Sequence, residues 1–219
     1  DDVIKILKYI DKGLGGNLSA YEVMWKNFYE VITKTGSNHT PPLPGNHNYY
    51  VLIETSGADQ EKDLDHFEKL LEMGLENKMI KDAIIAQSES DRKKLWAIRD
   101  DVEQHYQEGP VKMFDVSMPI SEMENYVLEV NKRFSCIWDN YKCVVFGHVG
   151  DGNLHLIGGV GTNNVDEIHA MEECIYEPLK PISGAVSAEH GIGLEKKSYL
   201  HISRSETEIN LMKSLKKAL

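Results

Sequence analysis

The sequence predicts an α+β fold, an antiparallel β-sheet with helices packed on it, and three observations lead there. Short runs of β-branched and aromatic residues alternate with segments whose apolar residues recur at helical spacing. The pair Asp151-Gly152 sits between two strand-forming runs, which asks for a tight hairpin and hence antiparallel pairing. Several connections between strand-like runs are too short to hold the crossover that a parallel pair needs.

The elements follow in chain order. The first thirty-six residues carry short apolar groupings at helical spacing. "NHTPPLPGNHN", Asn38 to Asn48, is the richest Pro, Gly and Asn cluster and reads as loop. "YYVLIETSG" after it reads as a strand. "EKDLDHFEKLLEMGLEN" places Leu64, Phe67, Leu70, Leu71 and Leu75 on one helical stripe. "IKDAIIAQ", Ile80 to Gln87, reads as a second strand, and a helix follows from about Ser90 to Gln107, ended by Gly109-Pro110. "VKMFDVSMP" alternates like a strand, and Ser121 with Glu124 has capping-box spacing for a helix to about Phe134. "CVVFGHVG" and "NLHLIGGVG" are two strands around Asp151-Gly152. Helices are expected over about Val165 to Tyr176 and Glu206 to Leu219, with "PISGAVSAEHGIGLEKK" between them as loop.

Composition narrows the function. The chain has 219 residues, 41% of them hydrophobic and 27% charged, which suits a packed core and not a disordered segment. A formal charge of -11 argues against nucleic acid or anionic lipid as partner, because affinity for a polyanion comes from clustered Lys and Arg. No stretch reaches the roughly 18 apolar residues of a membrane span, and the start does not read as a signal peptide. Cys136, Cys143 and Cys174 make no C-x-x-C pair, as in a reducing compartment. Cytoplasm is the default expectation, with a mitochondrial or peripheral membrane location open if a further N-terminal segment directs it.

"GHVGDGNLHL", Gly147 to Leu156, contains two histidines seven positions apart. With Asp151 and Gly152 as a two-residue type I′ turn, Gly150 faces Asn153, Val149 faces Leu154 and His148 faces His155. Directly opposed side chains share a face with Cβ atoms about 4.5–5.5 Å apart, close enough for two imidazoles to share one ion. A lone strand histidine is more often packed or exposed than a ligand, and His39, His47, His66, His105, His169 and His201 are read as structural. A two-histidine site needs a third ligand, usually a carboxylate when the metal is catalytic. "SAEHGIGLEKK" offers Glu189 for the metal and His190 as acid or base, beside glycines that let the backbone approach a ligand. Glu189 as an ordinary capping or salt-bridging residue is the competing reading of that window.

"GHVGDGNLHL" followed by "SAEHGIGLEKK", with "LSAYEVMW", "LWAIRD" and "DVSMP" before them in order, resembles the C-terminal, substrate-side domain of FAD-linked oxidases related to D-lactate dehydrogenase, D-2-hydroxyglutarate dehydrogenase and the glycolate oxidase flavoprotein subunit. The resemblance implies oxidation of a D-2-hydroxy acid to the 2-oxo acid with hydride transfer to FAD. It implies a divalent metal, typically zinc, on His148, His155 and Glu189, with His190 as proton acceptor beside the substrate and Arg99 on the substrate carboxylate. Lys112 is a weak substrate-contact candidate, since the family's lysine position is Met113 here and a one-residue shift turns a strand side chain to the other face. Ile157 replaces a polar residue, and Glu103 stands where a threonine can serve the distal end of hydroxyglutarate, which leans toward a smaller acid such as D-lactate.

Nothing in the chain resembles the glycine-rich FAD-binding segment, and Gly191-Ile192-Gly193 is no dinucleotide fingerprint. Residues 1–219 are therefore expected to be one substrate- and metal-binding domain, a piece of a longer chain whose N-terminal FAD domain lies outside it, and inactive alone. FAD contacts in this piece are unknown. The expected partners are that FAD domain, the hydroxy acid, an electron acceptor (an electron-transfer protein, cytochrome or quinone) and, in a homodimer, a second copy. The rival classes are a flavin-independent His/His/Glu hydrolase or oxygenase and a non-catalytic metal-binding module.

Overall fold

The computed structural model describes residues 2–219, and the chain divides into two compact units. The first comprises the chain through Glu108 together with Val144–Gly150, and the second Gly109–Cys143 with Asp151–Leu219. Each has antiparallel strands with helices against them, so the expected α+β class is borne out.

In the first unit, α1 (Asp2–Leu14) leads into β1 (Leu18–Trp25), followed by α2 (Lys26–Thr33), β2 (Tyr49–Thr55), α3 (Gln60–Glu76) and α4 (Glu89–Asp100). β4 (Lys142–His148) joins this unit from Val144 onward. β1 is the central strand, antiparallel to β2 on one side and to β4 on the other. Ile10, Leu14, Leu70 and Leu71 form a buried cluster between α1 and α3, extended by Phe67, Ile80 and Ile85. Phe28 of α2 packs on Phe146 of β4, ring centroids 4.6 Å apart.

The second unit pairs β3 (Lys112–Ser117) with β5 (Asn153–Gly159) antiparallel. Against them lie α5 (Met123–Ile137) and α6 (Val165–Tyr176), followed by the short α7 (Leu200–Ser203) and α8 (Glu206–Ala218). Phe114, Val116, Leu154 and Leu156 are buried with Val130, Phe134 and Ile175. The buried Tyr126 hydroxyl donates to the Ile175 carbonyl at 2.9 Å, tying α5 to α6.

Five local expectations are corrected. Leu18–Trp25 is a strand, not helical. Tyr21, Glu22, Val23 and Met24 are buried in succession, so this central strand lacks the in-out alternation that marks a half-exposed one. Ile80–Gln87 forms no ladder. It runs beside a cavity of about 740 Å³ that β2 also lines, and its Ile80 and Ile85 are spent on the α1–α3 cluster. The helix expected to Gln107 stops at Asp100 and resumes as 3-10 turns over Val102–Glu108. Asp101 is the break: its carboxylate takes the Gln104 amide at 2.6 Å and pairs with His39 Nε2 at 2.8 Å, side-chain bonds that compete with the helical pattern. Ser121 and Glu124 form no capping box, because a 3-10 turn over Ile120–Glu122 precedes α5 and Glu122 takes the cap position without a side-chain bond. A capping box does occur at Ser205 and Glu208, where the serine accepts from the Glu208 amide and the glutamate accepts from that of Ser205.

The fifth correction concerns the turn after His148. A 3-10 turn spans Val149–Asp151, and among residues 149–152 only Gly152 has positive φ, at +75°. A type I′ turn needs positive φ at both central residues, so the expected type I′ turn on Asp151-Gly152 does not form. Gly152 has a second reason to be glycine: a Cβ there would lie 2.7 Å from the Met118 carbonyl oxygen. That close approach lets the Met118 amide donate to the Gly152 carbonyl at 2.9 Å.

Candidate functional site

The register of β1 on β4 decides the chemistry in the first unit. Glu22 pairs directly with His148, so their side chains share a face. Glu22 is only 4% exposed, and its Oε1 lies 2.5 Å from His148 Nδ1. A carboxylate only accepts, so Nδ1 carries the proton and the Nε2 lone pair points the other way. Arg99, from the last turn of α4, donates through Nε to Glu22 Oε2 at 2.9 Å, and its NH2 lies 3.3 Å from His148 Nε2. The guanidinium rests over the Phe146 ring, 5.1 Å from its centroid. One buried carboxylate thus holds an imidazole with one oxygen and a guanidinium with the other.

In the second unit the decisive register is β3 on β5, which pairs Asp115 with His155. Asp115 is fully buried and gathers the loop after Val186. Its Oδ1 accepts the Ala188 amide at 2.7 Å, and its Oδ2 accepts the His190 amide at 2.8 Å and the Ser187 hydroxyl at 3.1 Å. The Glu189 amide lies between the two oxygens, and the Lys196 ammonium is 3.4 Å from Oδ2. Burial alone would raise the Asp115 pKa. The His190 and Ala188 amides, the Lys196 charge and the Glu189 amide outweigh it and hold the carboxyl at about 2. Burial lowers Lys196, a shift that the Asp115 charge opposes.

This anchoring delivers two side chains to His155. Glu189 Oε1 comes within 3.2 Å of His155 Nε2, while the His190 ring stacks on the His155 ring with centroids 5.7 Å apart. His155 is 4% exposed, whereas the His190 side chain is 54% exposed, so one imidazole is enclosed and the other is open to solvent. Gly191 and Gly193 both have positive φ, a conformation that glycine adopts without strain.

The predicted residues therefore fall into two local groups. Arg99 and His148 stand together in the first unit, and His155, Glu189 and His190 in the second. Lys112 belongs to neither. Its ammonium binds Glu172 of α6 at 2.7 Å and Glu195 at 3.1 Å. In β3 it alternates with Met113, so it shares the face of Phe114 and Val116 and not that of Asp115. Two residues that sequence reasoning did not assign are Glu22 and Asp115. The signal for each was a lone carboxylate inside an apolar strand run, "AYEVMW" and "MFDVSM", where burial demands partners.

Residues 1–219 match the family "FAD linked oxidases, C-terminal domain", and the chain belongs to it. Among curated relatives it is 32% identical over 216 residues to the mitochondrial D-2-hydroxyglutarate dehydrogenase of Arabidopsis thaliana, covering 98% of this chain and 38% of that protein. It is 33% identical to the D-2-hydroxyglutarate–pyruvate transhydrogenase of Saccharomyces cerevisiae, over 99% of this chain and 45% of that one. The D-2-hydroxyglutarate dehydrogenase of Xanthomonas citri is 31% identical over 92% of this chain and 43% of its own length. The chain thus spans about two fifths of the length of these relatives. Among the described residues no helix is long and apolar enough to cross a membrane.

Proposed function

We propose that the whole protein is an FAD-dependent dehydrogenase that oxidises a D-2-hydroxy acid to the 2-oxo acid with hydride transfer to the flavin, and that this chain is its substrate- and metal-binding half. Family membership and the names of the relatives support the reaction class. The observation that carries the reading is the Asp115-anchored loop, which sets a carboxylate against a buried imidazole and an open imidazole beside both.

His148, His155 and Glu189 offer two imidazole nitrogens and one carboxylate oxygen, the donor set of a catalytic zinc site with open positions, and His155 Nε2 and Glu189 Oε1 stand 3.2 Å apart within the second unit. When bound, a divalent cation lowers the pKa of a coordinated hydroxyl. His148, His155 and Glu189 would be the ligands of that ion. His190 would accept the substrate's hydroxyl proton, a task open to an imidazole beside that hydroxyl. Arg99 binds the substrate carboxylate and thereby aims C2, since a guanidinium matches a carboxylate with two parallel hydrogen bonds. Lys112, held by Glu172 and Glu195, is left out of substrate contact.

FAD binding falls mainly to the part of the protein outside this chain. The electron acceptor of the whole protein would be an electron-transfer protein, cytochrome or quinone. The substrate is of D-2-hydroxyglutarate or D-lactate type. The relatives' names favour the former, whereas Glu103 and Ile157 offer a second carboxylate little welcome. The Arabidopsis relative is named as mitochondrial, and a mitochondrial setting is the one its likeness supports for the whole protein. The test is to assay the full-length protein against a panel of D-2-hydroxy acids with an artificial electron acceptor. Flavin reduction by one of them, lost in His190→Ala, is the expected result. No flavin reduction by any, with hydrolysis or oxygenation instead, would overturn the reading.

A further inference from the structure

We infer that Glu22 is a positioning residue that sets the metal-binding imidazole and the substrate-binding guanidinium as one unit, so that metal affinity and substrate affinity depend on the same buried carboxylate. The inference rests on the function proposed above and deepens it. Its basis is local to the first unit. The β1–β4 register places Glu22 opposite His148, Oε1 takes Nδ1–H at 2.5 Å, and Oε2 takes Arg99 Nε at 2.9 Å. The carboxylate lies within a continuous buried run of β1 and is 4% exposed. Burying a charge there is unfavourable unless its lone pairs are satisfied, and His148 and Arg99 together satisfy both oxygens.

Two consequences follow. First, the proton on Nδ1 fixes the tautomer in which Nε2 has the lone pair, and the carboxylate fixes the ring's orientation, as carboxylates behind metal-binding histidines do. Second, Arg99 NH2 lies 3.3 Å from that same Nε2. A cation that takes this lone pair leaves the guanidinium tethered by Nε to Glu22 with its NH2 turned to a substrate carboxylate. Metal and hydroxy acid should then bind with positive coupling, each strengthening the other by the same factor.

The test uses full-length flavoprotein. Zinc affinity is measured by chelator competition, and steady-state KM and kcat with a D-2-hydroxy acid, for wild type, Glu22→Gln, Glu22→Asp and His148→Ala. Glutamine keeps the shape but turns an NH2 group toward either Nδ1–H or the guanidinium. We expect Glu22→Gln to weaken zinc binding about 10- to 100-fold and to raise KM about tenfold with less change in kcat. The flavin spectrum should stay unchanged, and Glu22→Asp should recover part of both losses. Unchanged zinc affinity and KM in Glu22→Gln, with zinc lost in His148→Ala, would overturn the role of Glu22 and leave the metal assignment standing. Zinc retained in His148→Ala would overturn the metal assignment itself. Should Glu22→Gln fail to fold, diffraction at the zinc edge on the wild-type holoenzyme decides. Nε2 on the ion with Nδ1 on Glu22 supports the inference, and Nδ1 on the ion refutes it.

Discussion

Replacing Asp115 by asparagine should loosen the loop that carries Glu189 and His190, and the size of the effect can be worked from its contacts. The carboxylate accepts the Ala188 amide on one oxygen and the His190 amide on the other. Asparagine has one acceptor oxygen, so in either orientation its NH2 group faces a main-chain N–H that then has no partner. An orphaned, partly buried donor costs about 1–3 kcal/mol. The Lys196 ammonium, with a side chain only 12% exposed and 3.4 Å from Oδ2, also loses its counter-charge, a further loss of about 1–2 kcal/mol for a hydrogen-bonded charge. Together these give about 2–5 kcal/mol, which for a domain of this size lowers the melting transition by about 4–20 °C. Calorimetry of the full-length protein reads the shift, and elemental analysis reads whether metal is lost with it. A transition within about 1 °C of wild type, with full metal content, would refute the claim that this one carboxylate shapes the loop.

Other outcomes follow from the same geometry. Arg99→Met should raise KM about 10- to 100-fold while leaving the flavin spectrum intact, since it removes charge-assisted hydrogen bonds to the substrate carboxylate; steady-state kinetics checks this. Gly152→Ala should destabilise by about 2 kcal/mol or more, because alanine is strained at φ +75° and its Cβ would meet the Met118 carbonyl oxygen; denaturant titration measures it. Burial would raise the Glu172 pKa, but Lys112, His169 and Tyr199 together hold it below the ordinary carboxylate value. A lowered folded-state pKa contributes stability that is present above the unfolded value and lost as pH falls through the folded one. Glu172→Gln should therefore flatten the acid side of the stability curve, as a pH series of thermal melts would reveal.

Much of the site was legible in the sequence because its residues sit in short, chemically dense windows. His190 and Glu189 are adjacent, followed by glycines whose positive φ the loop uses. His155 lies within an apolar strand run whose full burial agrees with its composition. The local expectations that failed did so where tertiary structure overrides local pattern. β1 is buried along Tyr21–Met24, so it shows no alternation, and its helical look came from apolar spacing alone. Asp151-Gly152 suggested a type I′ turn, yet Gly152 instead serves a close approach to Met118, a long-range contact that no dipeptide encodes. Ser121 has capping-box spacing to Glu124, but Pro119 and the 3-10 turn after it move the helix start to Met123. Glu22 and Asp115 acquire their roles only through strand register, opposite His148 and His155 respectively. Register depends on which strands meet, so the partners of these two carboxylates could not be read from spacing.

The central claim is that two imidazoles and one carboxylate of this chain hold a divalent cation beside the substrate. Elemental analysis of the purified full-length flavoprotein, with His155→Ala and Glu189→Gln alongside, tests it most directly. The account predicts one zinc-type ion per flavin in wild type and near-complete loss in both variants with the flavin retained. Full metal content in both variants, or none in an active wild-type enzyme, would contradict it.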